Sequence, residues 1–206
     1  MVLENSFNKL IEARHGTILY NKNDIYIGKS IEKYGEFSYL EAKIFEQICK
    51  DGDVVIEVGA NIGAHTLYLS KLVGNGFVFA FEPQRLVFQN LCANLALNSI
   101  SNVFAYQEAV SNENGTIIIP ECNFKENNNF GGINIENTKN GTTVNKQKLD
   151  NFLNKIDRLK LLKIDVEGME ISVIKGASEL IKKFRPMIYV ENDRQEHSKE
   201  LIELLW

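Results

Sequence analysis

Three acidic residues stand where short apolar runs end, and their types and spacing are the first sign of chemistry in this chain. Glu57 lies in Asp53-Val-Val-Ile-Glu-Val-Gly-Ala-Asn-Ile-Gly-Ala-His-Thr66, Glu82 closes Phe77-Val-Phe-Ala-Phe-Glu82-Pro83, and Asp165 closes Leu161-Leu-Lys-Ile-Asp165, with Glu167 two residues on. Carboxylates in such places can attract a cation, accept hydrogen bonds from a ribose diol, or take a proton from a reacting group. Gly59 and Gly63 let the backbone turn sharply and pass close to a ligand. Glu82 follows Glu57 by 25 residues. In adenosine-binding α/β folds an acid about 20 residues past the glycine turn, at the next strand tip, binds the ribose. A lone Glu82 would read as a solvated strand-end acid, but two such acids on consecutive strands favour binding.

The glycine pattern separates the cofactors such a turn could hold. A dinucleotide turn needs G-x-G-x-x-G and a phosphate loop needs G-x-x-x-x-G-K-[ST]. Here the spacing is G-x-x-x-G, with no middle glycine and no lysine. S-adenosylmethionine carries no phosphate, and its sulfonium and ammonium suit Glu57, while the turn amides suit its carboxylate. Gly59, Ala60, Asn61, Gly63 and Thr66 complete that candidate set, and a tight turn with no ligand is the competing reading. Pro83 stops the second strand and prepares the next helix. Glu108 and Ala109, at the end of a third strand, are placed to meet adenine by position alone. Asp165 is the first candidate for a general base and Glu167 the second. The bland alternative for Asp165 is an acceptor of backbone amides. Glu191 ends a further strand and could border the acceptor. The acids would also tolerate a divalent cation, but no additional ligand pattern supports one, so no metal is expected. His65 reads as an ordinary helix residue.

The elements that must position these groups follow from periodicity. Strands are predicted at 53–58, 77–82, 103–108, 160–165 and 186–191, with helical stretches between most of them, an alternation that implies an α/β fold with a doubly wound parallel sheet. Residues 1–13 have helical spacing through Phe7, Leu10 and Ile11. Gly16–Tyr20 and Ile25–Ile27 flank an Asn/Asp cluster and read as a hairpin. Residues 36–50 read as an amphipathic helix and 198–206 as another. Residues 1–50 thus form a leading helix-and-hairpin segment to a domain at 51–206. Residues 121–141, rich in Asn and Gly, interrupt the rhythm. They read either as a mobile surface loop or as a lid shaped by Asn129, Gly131 and Gly132, with Thr116–Ile119 and Thr142–Val144 pairing at their base.

Glu-Val-Gly-Ala-Asn-Ile-Gly, Phe-Glu-Pro followed by Asn94-Leu-Ala-Leu-Asn98, Lys163-Ile-Asp-Val-Glu-Gly-Met-Glu170, Gly176-Ala and Arg185-Pro-Met-Ile-Tyr-Val-Glu191 occur in this order over most of the chain. Together they resemble the FkbM-type methyltransferases. Many members have Asp where this chain has Glu57. The resemblance implies a Rossmann-like class I methyltransferase fold using S-adenosylmethionine and releasing S-adenosylhomocysteine. It implies transfer to a hydroxyl of a small molecule or glycan, and favours the lid reading of 121–141. Arg14-His-Gly and Tyr34-Gly-Glu-Phe-Ser38 resemble the leading region of some members, which would let Tyr34 and Glu36 close the methionine end. Two other functions stay open on the residues themselves: an NAD(P)-type oxidoreductase, disfavoured by the missing glycine, and a non-catalytic cofactor-binding module.

At 206 residues and a net charge of −4, one soluble domain is expected, without nucleic acid as its main partner. No membrane span or signal-peptide pattern occurs, and three cysteines without C-x-x-C spacing suggest reduced thiols, hence a cytoplasmic setting. Methyltransferases of this class normally add an antiparallel strand pair after the last helix. That pair is missing from this sequence, which ends on Leu-Leu-Trp. A truncated chain, a naturally shortened one, or a sheet completed by another protomer would account for this, and an uncovered edge predicts homo-oligomer formation.

Overall fold

The computed structural model describes residues 3–133 and 140–206. In chain order its elements are β1 (Leu3–Glu4), β2 (Asn8–Ala13), β3 (Gly16–Asn21), α1 (Ile27–Tyr34), α2 (Tyr39–Ile48), β4 (Val54–Val58), α3 (Ala64–Val73), β5 (Phe77–Phe81), α4 (Arg85–Leu97), β6 (Val103–Tyr106), β7 (Ala109–Val110), β8 (Gly115–Ile119), β9 (Thr142–Gln147), β10 (Leu161–Ile164), α5 (Glu170–Lys175), α6 (Ser178–Phe184), β11 (Met187–Val190) and α7 (Gln195–Leu205). Five parallel strands form the central sheet in the order β11-β10-β4-β5-β6. Each lies inside its predicted range; β4, β5 and β10, in the middle of the sheet, are buried on both faces, while β6 and β11 at its edges are only partly buried. Side chains alternate between those faces. Ile56, Val58, Phe81, Leu162 and Ile164 pack with Phe152, Val173 and Leu180. Val55, Val78 and Leu161 pack on the other side with Phe45 of α2 and Leu69 and Val73 of α3. The same alternation sends Glu57 and Lys163 toward α2 and α3.

The N-terminal region differs from expectation. The helix expected over 1–13 is instead β1 and β2, with residues 1 and 2 outside the described residues. β2 pairs antiparallel with β3 from Asn8↔Asn21 to Ala13↔Gly16. The spacing of Phe7, Leu10 and Ile11 fits a helix in a short window, but a full ladder to a neighbouring strand overrides so weak a signal. The hairpin from Gly16–Tyr20 to Ile25–Ile27 does not form either. The Asn/Asp cluster does make turns: Asn21 Oδ1 accepts from the Asn23 amide at 2.8 Å and Asp24 Oδ1 from the Tyr26 amide at 2.9 Å. These turns lead the chain into α1 rather than back along β3. The expected helices at 36–50 and 198–206 are α2 and α7, the latter starting earlier.

Two asparagines attach this region to the central domain. Asn94 on α4 accepts from the Leu19 amide at 2.6 Å and donates to the carbonyls of Leu19 at 3.0 Å and Ile62 at 2.8 Å. Asn98, one turn later, accepts from the Thr17 amide at 2.9 Å and donates to the Thr17 carbonyl at 2.7 Å. An i, i+4 pair on one helix face thereby satisfies the free edge of β3. Beyond the sheet, β8 pairs antiparallel with β9, as the flanks of the Asn/Gly segment suggested, and β7 joins β9 in parallel.

Replacing Asn94 by Leu is expected to lower unfolding stability by about 2–3 kcal/mol, because it strands buried backbone groups of β3 and of the Ile62 turn. Urea unfolding measures this, and a loss below about 0.5 kcal/mol would refute the clamp.

Candidate active site

Four residues stand just beyond the C-terminal ends of neighbouring parallel strands: Gly59, Glu82, Asp165 and Glu191. The backbone ladder continues through them. Gly59 donates to Phe81 O at 3.0 Å, Glu82 to Tyr106 O at 3.1 Å, Asp165 to Val58 O at 3.0 Å and Glu191 to Ile164 O at 3.0 Å. Gly59 has φ 83°, and a Cβ there would lie 1.7 Å from the Asp165 carbonyl oxygen. Only glycine allows the first turn and the end of β10 to lie so close.

Two joined crevices open above this row. One is largely apolar, lined by Phe81, Pro83, Gln84, Glu108, Ala109, Val110, Ile133 and Met169. The other is polar and aromatic, lined by Tyr26, Phe37, Glu41, Asn61, Asn129 and Glu191. Gly59, Glu82, Gly131, Asp165 and Glu167 face both.

Glu82 is 3% exposed, and its two oxygens accept backbone amides, Oε2 from Asn61 at 3.0 Å and Oε1 from Gln84 at 2.8 Å. Burial pushes its carboxyl up to about 7, against the pull of those amides. Asn61 holds φ 52°, and its Oδ1 accepts from the Ile62 amide at 2.8 Å, an arrangement that turns its backbone amide onto Glu82. Glu167 and Gly168 carry φ 56° and 108°, a left-handed pair that turns the chain after β10. Glu167 thereby meets Arg194, whose Nη2 donates to Oε2 at 3.0 Å. Burial raises the Glu167 and Glu191 carboxyls, and for Glu191 the Asp165 charge adds to the effect. Oxygens of Asp165, Glu167 and Glu191 lie within 4.8 Å of one another, a spacing a divalent cation could bridge. Lys163 and Arg194 already place positive charge beside this group.

The remaining sequence candidates are distributed unevenly. Glu57 is 1% exposed and lies beneath the turn, where it accepts from Thr66 Oγ1 at 2.6 Å; burial raises its carboxyl to about 7. Glu57 and Thr66 therefore stand under the crevice rather than in its wall. Ala60 is buried and donates to Phe81 O at 2.9 Å. Gly63 starts α3 in a left-handed conformation against Leu91. The Glu108 carboxylate accepts from the Gln147 side-chain amide. Tyr34 and Glu36 are not brought to the crevice. Tyr34 is 61% exposed at the end of α1, and Glu36 pairs with Arg14 at 2.9 Å. Phe37 and Glu41, from the following turn and α2, line the polar crevice in their place. His65 is buried between Phe37 and Phe45, and burial lowers its imidazole to about 3. Lys163 was missed as a site residue; its signal was a lysine inside the apolar run Leu-Leu-Lys-Ile.

Of the segment 121–141, residues 134–139 lie outside the described residues, and the lid reading of that part with them. The stretch before them is tied down. Phe124 O accepts from Asn21 Nδ2 at 2.9 Å and Asn23 Nδ2 at 3.0 Å, while Phe130 O accepts from Gln84 Nε2 at 2.8 Å. The Phe124 and Phe130 rings stack at 4.5 Å.

The FkbM methyltransferase domain profile matches residues 57–205. The chain belongs to the FkbM methyltransferase family. It is an S-adenosylmethionine-dependent methyltransferase. It is 28% identical over 181 residues to Methyltransferase sdnD of Sordaria araneosa, covering 70% of each chain. To Methyltransferase 1 of Beauveria bassiana it is 26% identical over 170 residues, covering 70% of this chain and 68% of that one. Hexuronic acid methyltransferase AglP of Haloferax volcanii is 27% identical over 135 residues, 65% of this chain and 53% of AglP. The crystal structure of precorrin 8w decarboxylase from Methanobacterium thermoautotrophicum shares the fold, with a TM-score of 0.51 at 15% identity over 89% of this chain and 77% of that one. No described helix of this methyltransferase is long and apolar enough to cross a membrane.

The Glu82 carboxyl, raised from 4.5 to about 7, favours the fold when protonated; that contribution is complete below 4.5 and lost as pH rises through 7. Glu82→Gln is therefore expected to gain stability relative to the wild-type methyltransferase across that window, by roughly 1–3 kcal/mol in the donor-free protein. Denaturant unfolding at several pH values measures it, and a pH-independent difference would refute the raised carboxyl.

Proposed function

We propose that this methyltransferase methylates a hydroxyl of a small molecule or glycan, with Asp165 as the general base. The carrying observation is the position of Asp165. Its side chain is 34% exposed, and it faces the opening that the two crevices share. The apolar crevice suits adenosine: Phe81, Val110 and Met169 offer an adenine slot beside Glu108 and Ala109, and Glu82 has acceptor capacity for a ribose diol. The turn at Gly59 and Asn61 then borders the methionine end. Bound S-adenosylmethionine supplies a methyl group on a sulfonium, which leaves as a neutral thioether.

Asp165 accepts the hydroxyl proton as the new oxygen–carbon bond forms and the carbon–sulfur bond breaks. Alignment of that hydroxyl by Glu41, Asn129, Glu167 and Glu191 supplies much of the acceleration, since in-line transfer depends on the approach of the acceptor oxygen. Tyr26 and Phe37, edge to face at 5.7 Å, offer an apolar surface for a ring-shaped acceptor. A hexuronic acid in the name of one relative supports a sugar-like acceptor.

Calorimetry is expected to show binding of S-adenosylhomocysteine and none of NAD; absence of the former would sink the donor-site assignment. A panel of neutral methyl glycosides, methyl glucuronide and cyclohexanols, assayed with labelled donor, tests the acceptor class. Asp165→Asn is expected to cut turnover at least about a hundredfold while S-adenosylhomocysteine affinity stays within about tenfold. Equal loss of both would make Asp165 a cofactor ligand instead of a base.

A further inference from the structure

Lys163 is a charged side chain in the middle of a strand buried on both faces, and it is 1% exposed. It lies in register between Glu57 on β4 and Tyr189 on β11. Its ammonium is 3.3 Å from Asp165 Oδ2 and 3.9 Å from Glu57 Oε1. Burial works against its charge, yet the carboxylates of Asp165, Glu57 and Glu41 hold the ammonium above the usual lysine range. Packing alone does not call for a lysine here. An apolar side chain would fill the site without desolvating an ammonium, and such replacements of buried ion pairs are often neutral or stabilising. What an apolar side chain could not supply is a donor to Asp165.

We infer that Lys163 is a positioning residue for methyl transfer: its ammonium holds Oδ2 of Asp165, so that the carboxylate keeps a fixed edge toward the acceptor. The assignment rests on Asp165 as the base. Asp165 follows the last residue of β10 and faces the polar crevice, where its other near neighbours are the carboxyls of Glu167 and Glu191. Glu57 anchors the lysine from the far side and is itself fixed by Thr66. The line Thr66–Glu57–Lys163–Asp165 thus links the first helix after the glycine turn to the reacting carboxylate. It gives Glu57, which lies outside the crevice wall, a role in the site.

The test begins with 15N-lysine-labelled protein saturated with S-adenosylhomocysteine. A buried, hydrogen-bonded ammonium gives a slowly exchanging Nζ signal, assigned by its loss in Lys163→Arg. Asp165→Asn is expected to move that signal and to speed exchange of its protons with water at least about tenfold, as loss of a charged hydrogen bond implies. Turnover is then measured with the panel alcohol that the wild-type enzyme methylates fastest. The double variant Lys163→Met/Glu57→Gln leaves no uncompensated buried carboxylate. It is expected to lose at least about a hundredfold in kcat while its Kd for S-adenosylhomocysteine stays within about tenfold, and Lys163→Arg to recover at least about tenfold of the loss. An Nζ signal indifferent to Asp165→Asn, or a double variant with wild-type kcat, would overturn the assignment. A normal Nζ response together with unaltered turnover in Asp165→Asn would instead remove Asp165 as the base, leaving the lysine contact as architecture alone.

Discussion

The close approach of Gly59 to the Asp165 carbonyl is the constraint on which the site depends. It brings the end of β4, where the glycine turn begins, against the end of β10, where Asp165 follows. A side chain at Gly59 would collide with the backbone of the neighbouring strand end, and the obstacle could not rotate away. With the two ends in contact, the ladder runs on past the strands and lines up Glu82, Gly59, Asp165 and Glu191 along one edge. The ends of parallel strands are a common place for ligands in open α/β sheets. Here the contact also makes the apolar and polar crevices share a floor.

The second theme is how so much negative charge is kept in a small volume. Glu57 and Glu82 are nearly inaccessible, and burial lifts both carboxyls to about neutrality. Their stabilisation comes from different sources. Glu82 is held by two backbone amides, while Glu57 has a hydroxyl and a buried ammonium. Nearer the opening, Arg194 balances Glu167. One ammonium, Lys163, serves both Glu57 and Asp165, while Glu191 has no ion-pair partner among the described residues.

Much of this was legible in the sequence, and the exceptions have physical reasons. The five core strands could be read because each is a short, mainly apolar run between polar turns, so that Glu82 and Asp165 stand out at the ends of theirs. Glu57 was read as a crevice residue because its place in the motif is visible, whereas the face it points to depends on the pleat of β4. Tyr34 and Glu36 were placed by their position before the first strand, but a left-handed Gly35 ends α1 and the chain brings Phe37 and Glu41 inward instead. The Asn94 and Asn98 pair was visible as part of a motif, yet its purpose, satisfying the edge of β3, exists only once that strand is known to pass there. Phe7, Leu10 and Ile11 carry a helical spacing, but three residues are too short a window to outweigh the ladder that β2 makes with β3.

The tether at Phe124 and Phe130 couples the Asn/Gly segment to the wall of the crevices. The segment is secured to Asn21 and Asn23 on one side and to Gln84 on the other before it reaches Gly132, and it resumes as a strand at Thr142. Gln84 serves twice in this arrangement, its side chain donating to Phe130 O at 2.8 Å and its backbone amide to Glu82 Oε1 at 2.8 Å. One residue thus ties the segment to the buried acid, so a substitution that loosens either would be felt by the other.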